Sequence, residues 1–282
     1  MCSGISGHRG GSRTISEQLF LDSVIEDHVR KEMWDGVYTI VECRKALSPS
    51  RLPGLDFALN PYGGCTHGCV YCYAPEVTHS EWRDWRAVRV KVNVAERLAR
   101  ELPGLSGTIG LGTVTDPYQD PERRFELSRR CLAAISRTDM GVNIMTKSDL
   151  VLRDMDIISG MRHSVGMTIT TLDDAVSKRT EPGAPLPGRR LSAIRTMVEA
   201  GMDVYVLAGP IMSTLKGRER EYADAILDTG VRCASIDKLN MRPLLSERLG
   251  RMHIGTADES VRLIKEYLSD GGMIVEDAFQ SE

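Results

Sequence analysis

Asn60-Pro61-Tyr62-Gly63-Gly64-Cys65-Thr66-His67-Gly68-Cys69-Val70-Tyr71-Cys72-Tyr73-Ala74-Pro75 is the stretch on which the reading of this chain turns. It sets Cys65, Cys69 and Cys72 at C-x3-C-x2-C spacing. Thiolates this close can wrap one metal centre, and iron–sulfur clusters take cysteine thiolates, normally four. With three on offer, one iron is left open to a ligand from outside the protein. Gly63-Gly64 and Gly68 permit tight turns and let backbone N–H groups face cluster sulfides. The competing reading is a structural zinc site completed by His67 or His79. Such a site usually draws C-x2-C pairs from two segments, and no second pair exists here. Cys2, Cys43, Cys131 and Cys233 stand singly, so the odd total of seven argues against a disulfide scaffold.

Outward from this stretch, strand and helix patterns alternate. Leu55–Leu59 reads as a short strand that ends at Asn60-Pro61. Val88, Val90 and Val92 alternate with polar residues, as in a half-buried strand. Asn93, with Glu96 three residues on, reads as the cap of a helix carrying Val94, Leu98 and Leu102. Further strands are expected at Thr108–Val114, Val142–Thr146, Val165–Thr170, Val204–Ala208 and Val231–Leu239. Between them, Asp120-Pro121-Glu122 opens a helix running towards Arg137. Asp149–Ser159, Asp173–Lys178, Arg189–Ala200 and Gly217–Thr229 read as further helices. Thr256 and Glu259 form a capping box for a last helix that Gly271 closes. About six strand–helix units imply a parallel sheet covered by helices, either open and doubly wound or barrel-like. The loops at the C-terminal ends of the strands are then the place for chemistry.

The quoted stretch strongly resembles radical S-adenosylmethionine (SAM) enzymes, and most of all the spore photoproduct lyase-related branch, whose substrates are largely unassigned. Thr115-Asp116-Pro117-Tyr118-Gln119, Thr146-Lys147-Ser148, Glu181-Pro182-Gly183 with Arg189-Arg190, and Ala208-Gly209-Pro210-Ile211 match that branch in order. The resemblance implies an α/β fold, a partial six-stranded (β/α)6 TIM-type barrel with short N- and C-terminal extensions. It divides the chain into an N-terminal extension (1–44), a core barrel (45–239) and a C-terminal extension with a final helix (240–282).

The resemblance also implies a 4Fe-4S cluster held by Cys65, Cys69 and Cys72. SAM would bind the fourth iron and be cleaved reductively to a 5′-deoxyadenosyl radical that abstracts hydrogen from a substrate. Tyr71 occupies the aromatic position near the adenine. Thr115 and Asp116 sit where the SAM amino group is contacted, Lys147 where its carboxylate is met, and Thr168 where a hydroxyl touches the ribose or carboxylate. Thr170 shares a strand face with Thr168. Glu181 and Arg189 either fix SAM and the loop above it or form a surface ion pair. A one-electron reductant such as a flavodoxin or ferredoxin is an implied partner.

One departure matters. The spore enzyme sets a hydrogen-donor cysteine beside its SAM-contacting serine, and Gly112-Thr113-Val114-Thr115-Asp116 has none. Cys233 is the candidate replacement donor, sharing a strand face with Ser235 and Asp237. The substrate stays open, with a nucleic acid among the candidates, and so does the choice between lyase, oxidoreductase and transferase.

The alternative function is a metal-containing nucleic-acid-binding or nucleic-acid-modifying protein. It rests on Arg83, Arg86, Arg89 and Lys91 with Trp82 and Trp85, then Arg123, Arg124, Arg129 and Arg130, since aromatics beside arginines stack on bases. The formal charge of −3 gives that reading no global support. No run of about 18 apolar residues exists, so no membrane span is expected. The Gly/Ser/Arg-containing start lacks a signal peptide's apolar stretch, and a cytoplasmic enzyme is the expectation. Glu17–Trp34 reads as helical, Arg242-Pro243-Leu244-Leu245 as a loop, and Glu276–Glu282 as a disordered tail or a cover for the barrel mouth.

Overall fold

The computed structural model describes residues 36–278 and the backbone of a strand at Glu32–Trp34. In chain order the described strands are β1 (Glu32–Trp34), β2 (Thr39–Val41), β3 (Leu47–Pro49), β4 (Phe57–Leu59), β5 (Tyr62–Gly63), β6 (Arg89–Lys91), β7 (Thr108–Leu111), β8 (Gly141–Thr146), β9 (His163–Ile169), β10 (Val204–Ile211), β11 (Cys233–Lys238) and β12 (Ile274–Asp277). Eight of them form one sheet in the order β12-β11-β10-β9-β8-β7-β4-β3. From β4 to β12 every neighbouring pair is parallel, and only β3 runs antiparallel. No pairing among the described residues joins β12 to β3, so this is a partial barrel and not a closed one. The six core strands are those expected, and Thr108–Val114 is shortened to β7.

The sheet reads as buried on both faces because its strands are nearly continuous in apolar residues. Ile109, Leu111, Val142, Ile144, Val165, Met167, Val206 and Ile236 are all essentially inaccessible. The covering helices contribute stripes at helical spacing, as in Leu127, Cys131, Leu132 and Ile135 of Leu127–Ile135, or Ala193, Ile194 and Met197 of Pro187–Glu199. Each leucine, isoleucine or methionine among them contributes roughly 1.5–3 kcal/mol by leaving water. Pro187 starts the second of these helices, and Gly201, with φ +75°, turns the chain out of it.

Several local expectations are corrected. The Val88–Val92 strand, β6, does not join the main sheet. It sits between β2 and β5 in a four-stranded sheet, order β1-β2-β6-β5, which leads into the cysteine loop. Asn93 holds the N-cap position of its helix, but its side chain makes no capping hydrogen bond. Its side chain instead accepts from the Cys43 N–H at 2.8 Å and donates to the Cys43 carbonyl at 3.0 Å, tying the N-terminal segment to the core.

The helix opened by Asp120-Pro121-Glu122 breaks at Glu126, whose φ of 50° is left-handed. The break lets the Glu122 carboxylate accept from the N–H groups of Ser128 (2.9 Å) and Arg129 (3.3 Å), at the start of the second piece. The Thr256–Glu259 box does not form either. The helix Asp258–Asp270 has Ala257 at its cap, and Glu259 pairs with Arg262 at 2.6 Å.

Arg242–Leu245 is not a loop but the entry to a helix, Pro243–Gly250, with Pro243 in its first turn. The acidic end begins as β12, a seventh parallel strand beside β11. The expected helix at Glu17–Trp34 falls outside the described residues except for Glu32–Trp34, which is strand. The N-terminal arm and residues 279–282 also lie outside the described residues. No described helix is long and apolar enough to cross a membrane.

Candidate active site

A cavity of about 520 Å³ opens at the C-terminal ends of the parallel strands. The cysteine loop that follows β4 forms one wall, and Cys65, Cys69 and Cys72 all line the space. Five further residues singled out from the sequence line it with them: Tyr71, Thr115, Asp116, Lys147 and Thr168. Tyr71 belongs to the cysteine loop; the other four come from the ends of β7, β8 and β9, which is where a parallel barrel gathers its chemistry.

Two predicted site residues do not line it. Thr170 is fully buried behind the wall, and its hydroxyl donates to Glu181 Oε1 at 2.9 Å. Cys233 opens β11 at the end away from the cavity, roughly 13 Å along the strand from Asp237. Asp237, on the same strand face, is the member of that set that reaches the cavity.

The loop's shape depends on backbone geometry. Gly64 (φ +81°) and Gly68 (φ +58°) adopt left-handed conformations, and a Cβ on Gly64 would meet the Trp85 carbonyl oxygen at 2.5 Å. That same oxygen accepts from the Cys65 N–H at 2.9 Å. Thr115 Oγ1 donates to the Gly64 carbonyl at 2.5 Å. Gln119 donates to the same oxygen at 3.1 Å and accepts from the Thr66 N–H at 2.8 Å. Gly183 packs so closely on the loop that a Cβ would run into the Thr66 carbonyl, and its N–H donates to His67 O at 2.9 Å.

Asp116 joins this loop to β8. One oxygen accepts from Thr146 Oγ1 (2.7 Å) and the Tyr118 N–H (2.9 Å); the other accepts from the Lys147 N–H (2.8 Å) and lies 3.3 Å from His67 Nδ1. Burial holds His67 below its ordinary pKa, with Asp116 pulling the other way. His67 is thus part of the loop's support.

Behind the cavity wall lies a buried ion pair. Glu181 accepts from Arg190 and from the Tyr71 hydroxyl, and both charged side chains are 0% exposed. Arg190 also donates to the carbonyls of Pro185 (2.7 Å) and Thr168 (3.3 Å). Burial opposes the charge on Glu181, but Arg190 and Lys147 overcome it and hold the carboxyl at about 2. One of the two sequence expectations for Glu181 and Arg189 paired them with each other. Arg189 instead makes a surface pair with Asp149 at 2.6 Å, while Arg190, one residue on, turns inward.

Above the wall, the Lys147 ammonium lies 5.5 Å from the centre of the Tyr71 ring. Burial pulls its pKa down, and Cys69, Glu181 and Asp116 raise it by more, so it stays a cation. Burial pushes the Cys65 and Cys72 thiols up and takes Cys69 to about 12. As bare thiols these groups stay protonated; as thiolates they require a positive centre among them.

The donor set fits an iron–sulfur centre. Three soft sulfur ligands share one cavity wall in a loop cradled by glycines. The indole N–H of Trp85, buried in the same small cluster as Cys65, has no protein acceptor. Among the described residues no three His, Cys, Asp or Glu side chains converge on a single-ion position, His67 and His79 included.

The tryptophans proposed for base stacking have other work. Trp85 is buried, and Trp82 has its face covered by Arg248 at 3.6 Å. Arg129 and Arg130 are ion-paired with Asp154, Asp156 and Glu96.

Residues 59–229 match the family model of the radical SAM superfamily. The chain belongs to the radical SAM superfamily. It is therefore an enzyme of that superfamily, of open subclass. The uncharacterized protein MJ0683 of Methanocaldococcus jannaschii is 33% identical over 180 residues, covering 62% of this chain and 68% of that protein. The uncharacterized protein Rv2578c of Mycobacterium tuberculosis is 33% identical over 218 residues, covering 71% of this chain and 63% of that protein. Among solved structures, spore photoproduct lyase complexed with dinucleoside spore photoproduct superposes with a TM-score of 0.63 at 17% identity, covering 84% of this chain and 80% of that one. Streptococcus suis SuiB bound to S-adenosylmethionine gives 0.52 at 16%, covering 79% and 50%. At these identities the likeness is one of fold.

Two features escaped sequence reasoning, and a third, Asp237, stood there only as a strand-face neighbour of Cys233. Asp237 lines the cavity, with no hydrogen-bond donor of the described residues on its carboxylate, and burial raises it to about 6. The inward turn of Arg190 depends on helix phase, which a run of two arginines does not disclose. Arg248 reaches the cysteine loop from a segment that carries no motif.

Proposed function

We propose that the chain uses a 4Fe-4S cluster to cleave SAM reductively and remove hydrogen from a substrate yet to be identified. The supporting observation is that Cys65, Cys69 and Cys72 line one cavity together with Tyr71, Lys147 and Thr168. When bound, the cluster and SAM supply a 5′-deoxyadenosyl radical; the remaining work belongs to the protein.

Cys65, Cys69 and Cys72 hold the cluster through their thiolates. Lys147 presents a fixed ammonium to the SAM carboxylate, a charge-assisted contact in a water-poor site. Tyr71, locked by Glu181, presents a ring of fixed orientation to the adenine side. Thr168 offers a hydroxyl from the neighbouring strand. Thr115 and Asp116 act chiefly as supports: with three donors and the His67 ring already on Asp116, they set the loop and the β8 end at a fixed separation. Thr170 supports the same arrangement through Glu181. Asp237 faces the substrate side as an acceptor free to take a donor group. Cys233, at the far end of β11, is poorly placed to return hydrogen to a product.

The lyase in the structural comparison acts on a spore photoproduct, but no cysteine stands at 112–116 here, so a different reaction is proposed for this chain. A flavodoxin or ferredoxin is the proposed electron donor and the cytoplasm the proposed compartment.

The test is anaerobic reconstitution with iron and sulfide, followed by SAM and dithionite. Formation of 5′-deoxyadenosine supports the reading. Binding of about one zinc with no acid-labile sulfide would favour the nucleic-acid-binding alternative. Deuterium transfer into 5′-deoxyadenosine from labelled cell extract would then report the substrate.

A further inference from the structure

The helix Pro243–Gly250 lies beyond the 59–229 span matched by the family model, yet it is anchored on the cysteine loop. Arg248 makes the connection. Its Nε donates to the Val70 carbonyl at 2.5 Å and its Nη2 to the Cys72 carbonyl at 2.9 Å. The guanidinium face lies 3.6 Å from the centre of the Trp82 ring. The same helix is fixed at its start, where the Leu245 N–H donates to Glu76 Oε1 at 3.1 Å. Leu245 and Leu249 are buried in one cluster with Cys69 and Tyr71. A planar fork therefore grips the two carbonyls that flank Tyr71, the second of them on the third cysteine itself.

This cation is not neutralised by an ion pair. Among the described residues no carboxylate lies within salt-bridge distance of Arg248, and Glu76 acts on it only from beyond that distance. A fixed cation in a low-dielectric wall favours whichever state beside it carries one more negative charge. Lysine would keep the charge but not the fork, because a point donor cannot span two carbonyls in the plane of one group.

Resting on the radical SAM reading above, we propose that Arg248 is a positioning residue for the iron–sulfur centre. It fixes the backbone of the third cysteine, and its charge favours the one-electron-reduced state of the centre. The C-terminal segment then sets how readily an external donor can load the site, a task the matched core alone does not perform.

The experiment compares full-length wild type, Arg248→Gln and Arg248→Lys after anaerobic reconstitution. It reads iron and sulfide content, circular dichroism, and midpoint potential by EPR-monitored redox titration. Arg248→Gln is expected to keep its circular dichroism and shift the midpoint to more negative potential, so that the reduced fraction at a fixed poise falls several-fold. Arg248→Lys is expected to hold the wild-type midpoint while losing iron to a chelator several-fold faster.

An unshifted midpoint in Arg248→Gln overturns the proposal, as does an equal shift in both variants. If Arg248→Gln does not fold, Arg248→Lys decides alone: a displaced midpoint, or iron loss at the wild-type rate, overturns it. A wild type that assembles no 4Fe-4S signal removes the functional reading and this inference with it, whereas a normal wild-type cluster with unmoved variants removes only the inference.

Discussion

Two buried carboxylates, Glu122 and Glu181, are built from the same parts and are put to different use. Each accepts from a tyrosine of the stretch Asn60–Pro75 and from an arginine: Tyr62 and Arg153 for Glu122, Tyr71 and Arg190 for Glu181. Both acids are 0% exposed. Their protonation is pushed in opposite directions. Burial raises Glu122, and its partners do not fully offset it. Glu181 is penalised by burial too, but Arg190 and Lys147 bring it down to about 2.

The difference lies in the cations. Arg153 is 22% exposed and divides itself between Glu122 and Asp154, at 2.6 and 2.7 Å. Arg190 is 0% exposed and given to Glu181, with Lys147 as a second positive charge. One carboxylate holds the start of the helix Leu127–Ile135; the other holds the tyrosine of the cysteine loop against the cavity. A buried ion pair is weak evidence for function by itself. What distinguishes Glu181 is which tyrosine it locks.

The largest expected effect breaks the Glu181 pair. Arg190→Met leaves an uncompensated buried carboxylate and should cost about 3–5 kcal/mol of stability by chemical denaturation. It should also lower 5′-deoxyadenosine formation at least tenfold in the protein that stays folded. Acid should undo the wild-type pair in the same sense. Because the folded pKa lies below the ordinary value, the stability is present above about pH 4.5 and is lost as pH falls towards 2.

A third carboxyl sharpens the contrast, because Asp237 has no arginine at all. Burial raises it from 3.8 to about 6, with Lys147 opposing. Its ionisation therefore costs the fold stability, a cost absent below about pH 4, growing between 4 and 6, and complete above 6. Asp237→Asn should stabilise the protein at pH 8 by up to about 3 kcal/mol and by nothing at pH 3.5, read by thermal melts across pH.

Next comes Glu122→Gln, expected to cost about 1–3 kcal/mol through the partners it leaves unsatisfied. 5′-Deoxyadenosine per cluster-loaded molecule should stay within twofold of wild type. A tenfold loss there would erase the distinction between the two sites.

The smallest effects belong to the tyrosines. Tyr62→Phe and Tyr71→Phe should each cost about 1 kcal/mol. Only Tyr71→Phe should raise the KM for SAM several-fold, because only its ring faces the cavity.

What was legible in the sequence follows from the range of each signal. The six core strands and the cavity-lining residues Thr115, Asp116, Lys147 and Thr168 sit at the ends of short, strongly patterned segments that follow one another directly. Errors arose where a side chain had a distant partner. Asn93 looked like a cap because its partner, Cys43, is 50 residues away. Arg189 looked like the Glu181 partner because sequence spacing cannot say which of two adjacent arginines faces inward.

Arg242–Leu245 reads as a loop because its helix is stabilised by contacts with residues about 170 positions earlier. Val88–Val92 has a true strand pattern, but periodicity does not say which sheet a strand joins. Cys233 and Thr170 shared faces with residues that do reach the cavity. A face is defined along a whole strand, whereas the cavity opens only at one end or on one side of it.

The most direct test is 5′-deoxyadenosine formation from SAM and dithionite by the anaerobically reconstituted protein, beside Cys65→Ala, Cys69→Ala and Cys72→Ala. The account predicts a 4Fe-4S spectrum and 5′-deoxyadenosine in the wild type, and the loss of product in each cysteine variant. A wild type that carries a full cluster yet cleaves no SAM, or a cysteine variant that cleaves it as well as the wild type, would contradict it.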